Sequence, residues 1–297
     1  MRFAITTLAA LLMAGPAWAQ DRAPTGDEEL AIAALEGLMA QPSDRALPIL
    51  KKVLAGQQPK LVKQRALFVL GQMDSPEARE ILAQTARSAD ADLRDEAIRS
   101  IGIGGDPKSL DALKQVYDAG DGDVKEAVLQ AWMIADHKEA VYQAALNART
   151  EEEASSAIRT LGVMGATDEL RKLGDKPNAA RGLLDAYAMS GDLASLRKIA
   201  DGSGERSMRI EAIRKIGLVD GDAARIALRD IYSRSTDAEV KQAAMQGMLI
   251  ADDEQGLLAL YRASKDSEEK RALLRTLSTM DGDAALQAID AALEKKP

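Results

Sequence analysis

Apolar and small residues recur along this chain at helical spacing, in pairs of short stripes separated by polar breaks. In residues 75 to 104, Ser75 and Pro76 form a cap followed by a first helical position. Ala78, Ile81, Leu82 and Thr85 then fall on one helical face. The stretch "SADAD" interrupts the stripe with side chains that hydrogen-bond locally. Leu93, Ala97, Ile98 and Ile101 form a second stripe, and Gly102 to Gly105 end it before Asp106-Pro107 caps the next helix. The spacing therefore predicts two helices per unit. Similar Gly-Asp junctions stand at Gly191-Asp192, Gly221-Asp222 and Gly282-Asp283.

The second stripe is nearly a repeated word: "AIRSIG" from Ala97, "AIRTLG" from Ala157 and "AIRKIG" from Ala212. Aligning the chain on the first residue of that word puts nine segments in register, at Ala34, Ala66, Ala97, Val128, Ala157, Leu183, Ala212, Ala244 and Leu273. A period of about 30 residues sustained along a chain indicates a solenoid, because one helix pair buries too little surface to stand without its neighbours. The expected fold is all-α, an α-solenoid of about nine helix pairs over residues 28–297. The small register residue lets helices approach, the branched ones fill the gap, and the Gly that follows is read as relaxing the helix end. Between Ala157 and Leu183 the first helix, near "TDELRKLGD", is short and Pro177 follows. This unit either kinks the stack or simply has a trimmed loop.

Composition sharpens this picture. The chain is 46% hydrophobic but only 3% aromatic, so Ala, Leu, Ile and Met fill the core, as suits close helix packing. A net charge of −8 disfavours general attraction to nucleic acid or anionic lipid. Residues 1–19 read as a secretory signal peptide: Arg2, an apolar run too short to span a bilayer, and the Ala17-Trp18-Ala19 cleavage signature. Cleavage between Ala19 and Gln20 would leave a flexible segment, 20–27, ahead of the repeats. The expected location is then the periplasm, or outside the cell, with no segment embedded in the membrane.

The segment "ADADLRDEAIRSIGIGGDPKSLDAL", Ala89 to Leu113, resembles a HEAT-like repeat of the phycobilisome-lyase type. The resemblance is strong in the units at Ala66, Ala97 and Ala212, and weak in those at Ala34 and Leu183. It implies a solenoid whose second helices line a concave side. It also implies that the basic residues three before the register position, including Lys63, Arg94, Lys125, Arg209, Lys241 and Lys270, pair with turn carboxylates such as Asp92 and Asp123.

Catalytic and metal-binding patterns are not found. There is no cysteine, which removes disulfides, thiolate metal sites and a Cys nucleophile. The one histidine, His137, reads as a surface residue after a capping Asp136. "GIGGDP" from Gly102 ends a helix and departs from the dinucleotide fingerprint. The Asp-Gly-Asp triplets at 121–123, 220–222 and 281–283 lack the spacing of a calcium loop and read as caps and turns. Tyr117, Tyr232 and Tyr261 read as packing residues. No enzyme activity, cofactor or metal is expected.

The candidate site lies two residues after the register position, off the apolar stripe. Four of the nine residues there are arginines: Arg99, Arg159, Arg214 and Arg275. Arginine suits bidentate capture of carboxylates or phosphates. Local pairing is the competing reading, Arg99 with Asp95 or Glu96 and Arg214 with Glu211, whereas Arg159 and Arg275 lack such an upstream acid. The expected function is a non-enzymatic protein-binding scaffold of the cell envelope, holding a partner protein or an acidic, extended peptide. The alternatives are a lyase-like enzyme, which the resemblance suggests, and a chaperone or assembly factor.

Overall fold

The computed structural model describes residues 23–174, 180–280 and 282–293. The expected signal peptide, Gln20, Pro177 and Asp281 lie outside them. The described residues are helical with short connections and contain no strand. The chain divides into two compact units, residues 1–137 and 138–297.

In the first unit the helices are α1 (Gly26–Gly37), α2 (Ser43–Ala55), α3 (Lys60–Gly71), α4 (Pro76–Thr85), α5 (Ala91–Gly104), α6 (Pro107–Ala119) and α7 (Gly122–Ile134). In the second they are α8 (Lys138–Leu146), α9 (Glu151–Val163), α10 (Thr167–Leu173), α11 (Ala180–Met189), α12 (Leu193–Asp201), α13 (Arg206–Ile216), α14 (Asp222–Arg234), α15 (Ala238–Ile250), α16 (Glu254–Ala263), α17 (Ser267–Leu277) and α18 (Asp283–Leu293). Every register position falls on an odd-numbered helix. Within each unit consecutive odd helices pack on one another, and the even helices form the second layer. Both units are thus stacks of helix pairs, the α-solenoid arrangement that the repeat predicts.

The helix starts follow the local chemistry. Ser75 and Asp106 cap α4 and α6 by accepting the Ala78 and Ser109 amides, with Pro76 and Pro107 at the first helical positions. Asp121, from the first Asp-Gly-Asp triplet, caps α7. Thr25 and Glu28 close a capping box, so α1 begins at Gly26, inside the segment expected to be flexible. Helix α10 has 7 residues, as the shortened step predicts. Asp136 holds a left-handed conformation, φ 53°, at the turn after α7.

The register residue is buried in eight of the nine segments: Ala66, Ala97, Val128, Ala157, Ala212, Ala244 and Leu273 at 0%, Leu183 at 3%. In α1 Ala34 is exposed and Leu35 takes the buried place. Each fully buried Leu or Ile contributes about 1.5–3 kcal/mol.

The glycine five residues after the register position has a role beyond the one expected. Gly102 lies within α5, whereas Gly217 does stand at a helix end, as the C-cap of α13. A Cβ built on Gly102 would lie 2.7 Å from both the Cα and the carbonyl oxygen of Ala131, on the next odd helix. Gly217 stands in the same relation to Gly247. These glycines let backbones touch, and in α5 the helix end is handled later, by Gly105 at φ 66°.

The even layer is joined by a recurring clasp. Arg79 on α4 reaches Asp106, the cap of α6, at 3.4 Å. Arg171 on α10 forms two 2.8 Å bonds to Asp192, the cap of α12. Arg229 on α14 binds Asp253, the cap of α16, in the same forked manner. Asp192 and Asp253 are buried, so each carboxylate serves its own helix and the preceding pair together. Burial pushes the Asp192 carboxyl up, but the bonds from Arg171 and Ser195 outweigh it and hold it below the usual carboxylate range.

Candidate functional site

The packing decides which way each position on an odd helix points. Successive residues turn by about 100°. The register residue and those one and four later face the even layer, as Ala97, Ile98 and Ile101 show by their burial. The residue five later meets the next odd helix, and the residue three later meets the previous one. What remains is a face centred on the positions two and six after the register. The expected Arg row therefore does lie on the face turned away from the core.

The arginines on it differ. Arg159 and Arg275 are exposed, Arg99 is half-buried, and among the described residues none of the three has an ionic or hydrogen-bonding partner. Arg159 stands at an open recess lined by Thr150, Glu151, Glu152, Ser155 and Ser156. Arg214 is tied down: its Nε donates to Gln246 Oε1 at 2.9 Å, and an Nη meets Glu211 at 3.3 Å. Here the local pairing reading holds. The Asp95 or Glu96 partner considered for Arg99 is not used; Asp95 pairs with Arg94.

Arg214 and Gln246 both occupy the second position after their register residues, so their bond shows that this row is continuous from α13 to α15. Asp185, in the same row on α11, takes Lys215 of α13 at 2.5 Å, and its negative charge raises the Lys215 pKa. Arg159, Asp185, Arg214, Gln246 and Arg275 form the row of the second unit. Arg99 belongs to the first unit, whose row also carries Phe68, with the Arg65 guanidinium 4.6 Å from its ring centroid.

Three members of the basic column lie against tyrosine rings. Lys125, Lys241 and Lys270 stand 5.6, 5.1 and 5.4 Å from the ring centroids of Tyr117, Tyr232 and Tyr261. Lys241 also reaches a carboxylate of the next pair, Glu269, at 2.6 Å. Asp92 is taken by Lys60 instead. The tyrosines are buried between layers, as expected of packing residues.

Sequence reasoning missed a second row. Four residues beyond Arg159, Asp185, Arg214 and Gln246 lie apolar side chains, Val163, Met189, Leu218 and Ile250, exposed by 56, 50, 53 and 51%, whereas Thr279 stands beyond Arg275. The signal was available, since positions four apart share a helix face. It was masked because each falls in, or just past, a last turn, where an apolar residue reads as the end of the core stripe.

Among the described residues no group of His, Cys, Asp or Glu is placed to hold a metal, and no helix is long and apolar enough to cross a membrane. His137 is half-buried, with Nε2 3.7 Å from Asp111.

Comparison with curated proteins returns no match. Solved structures similar to this chain include human deoxyhypusine hydroxylase in complex with glycerol, at 18% identity, TM-score 0.33, over 76% of this chain and 98% of that one. They also include the complex of CpcE and CpcF of phycocyanin lyase from Nostoc sp., at 19% identity, TM-score 0.34, over 90% and 98%. At these scores the chemistry of neither protein passes to this chain. Residues 47–133, from within α2 to within α7, match HEAT repeats, and the helix pairs beyond that segment repeat its register.

Proposed function

We propose that this chain is a non-enzymatic scaffold of the cell envelope that holds a partner protein on the free face of its odd-numbered helices. One observation carries the reading. The row on that face includes Arg159 and Arg275, exposed and without partners among the described residues, in a chain whose net charge is −8 and whose other arginines are largely engaged within the fold. A cation with no structural duty, repeated at one position of a repeat, suits capture of carboxylates on another molecule. Several adjacent helix pairs easily supply the roughly 800 Å² per partner of a standard interface.

Export rests on the sequence of residues 1–19, and the partner would then be met in the periplasm or outside the cell. N-terminal sequencing of the purified protein should begin at Gln20; a chain beginning at Met1 removes the envelope assignment. Crosslinking in the native envelope fraction, followed by mass spectrometry, tests the face. Wild-type protein should yield a partner that Arg159→Glu/Arg275→Glu loses, and undiminished capture by that variant refutes the reading.

A further inference from the structure

Helix α1 is written like a helix from the interior of the stack. Aligned on the register position, "DEELAIAALEG" from Asp27 matches "DAEVKQAAMQG" from Asp237, the cap and body of α15. Asp27, Glu29, Ala33 and Gly37 have identical counterparts in Asp237, Glu239, Ala243 and Gly247, and Leu30 stands where α15 has Val240.

On α15 these residues receive α13. Val240 and Ala243 lie seven and four residues before Gly247, on the same face, and both are buried. Gly247 lies against the α13 backbone: a Cβ built on it would stand 3.2 Å from the Ile213 carbonyl oxygen. Asp237 and Glu239 hold the Arg206 guanidinium at 2.7 and 3.0 Å. The first unit uses the same device, where Lys60 of α3 meets Asp92 of α5, at the place of Glu239.

On α1 the equivalent face is bare among the described residues. Leu30 is 72% exposed, Ala33 and Gly37 are exposed, and a Cβ on Gly37 would meet nothing within 4 Å. Asp27 and Glu29 are exposed, and among the described residues neither has an ion-pair partner. The end of a helix-pair stack ordinarily turns a polar side outward. This helix turns out a side made to receive another helix.

We propose that this face of α1 binds an amphipathic helix of another protein, on the pattern by which α13 covers α15. That pattern is a basic residue, apolar residues four and seven positions later, and a small residue eleven later, as in Arg206, Ile210, Ile213 and Gly217. Asp27 and Glu29 hold the base, the apolar pair lies over Leu30 and Ala33, and the small residue meets Gly37. Exposed ion pairs of this kind add little affinity and chiefly fix the direction of the bound helix, while covering Leu30 supplies most of the gain. A second copy of this chain does not offer the pattern. Its α13 is already packed on α15, and its last odd helix, α17, has Ser267 at the place of Arg206, between Asp266 and Glu268. The surface shares no residue with the Arg row and goes beyond the scaffold reading.

The test is fluorescence anisotropy of the full chain with a labelled peptide spanning Glu205 to Leu218. A lactam between Glu211 and Lys215, a pair off the docking stripe whose charged groups stand 3.5 Å apart, holds it helical. Binding should be saturable. Leu30→Glu and Gly37→Leu, both at exposed positions, should each weaken it by about tenfold or more, with unchanged circular dichroism. Asp27→Asn/Glu29→Gln should weaken it by about threefold, and a peptide carrying Arg206→Glu should lose at least as much. If Gly37→Leu misfolds, Gly37→Ala serves, with a smaller loss in the same direction. Absence of saturable binding, or binding indifferent to the Leu30 and Gly37 variants, overturns the inference. So does self-association of the wild-type chain in sedimentation that Leu30→Glu abolishes, since it gives the face to a second copy.

Discussion

Gly217 and Gly247 bring α13 and α15 into backbone contact: a Cβ added to Gly217 would stand 2.7 Å from the Gly247 Cα. No side chain lies between to yield, so the whole stack must shift. Gly217→Ala should cost about 2–4 kcal/mol and lower the melting temperature by several degrees, well beyond ordinary surface change. Gly122→Ala, where an added Cβ meets nothing within 4 Å, should be neutral or slightly stabilising. Thermal denaturation by circular dichroism compares the two; equal losses would mean that backbone contact is not what position 217 protects.

Asp253 carries two duties, accepting the Gly256 amide as a helix cap and the forked Arg229 guanidinium as a clasp. Asp253→Ala should cost about 2–4 kcal/mol, since it removes both and leaves the amide without its acceptor. Asp253→Asn keeps the cap and weakens the clasp, so its cost should fall between wild type and Ala. Urea unfolding measures the order, and an Asn variant as damaged as Ala would assign the whole effect to the charge.

Glu269 accepts from Lys241, Ser264 and Tyr232, which joins α14, α15 and the end of α16 to α17. The Lys241 ammonium, then the Ser264 hydroxyl, hold its carboxyl down at about 2, against an ordinary 4.5. The unfolded chain therefore takes up this proton at higher pH than the folded one. Its contribution is present above about pH 4.5 and is lost as pH falls towards 2. Wild type and Glu269→Gln should differ by about 1–3 kcal/mol at pH 7 and converge near pH 2. A constant gap across that range, by urea midpoint, would deny the carboxylate its part.

Arg159→Ala and Arg275→Ala should leave stability within about 0.5 kcal/mol, because neither side chain holds anything in the fold. A melting temperature depressed as far as by Asp253→Ala would recast them as structural residues.

Periodicity made the architecture legible because a repeat writes the same packing problem many times. Eight buried register residues and the caps at Ser75, Asp106 and Asp121 follow from residue type and spacing. The candidate face was half legible. The Arg row stood out as charge off an apolar stripe, but its companion, from Val163 to Ile250, resembled core. What was not legible turns on neighbours. Whether Arg214 is free depends on Gln246, 32 residues away. That the glycine at 217 admits another helix besides ending its own depends on where α15 lies. The clasps are of the same kind, since Arg171 and Asp192 sit at positions that look like ordinary surface.

Each clasp pairs an arginine of one helix pair with the cap of the following pair, but the donor helices α4, α10 and α14 begin at Ser75, Ala166 and Gly221, which offer no carboxylate to a preceding arginine. The clasps therefore bind helix pairs two by two instead of running on from each pair to the next. An in-frame insertion between two clasped blocks would leave every clasp whole, whereas one placed inside a block would part an arginine from its aspartate, so changes of length are expected to fall at the unclasped joints.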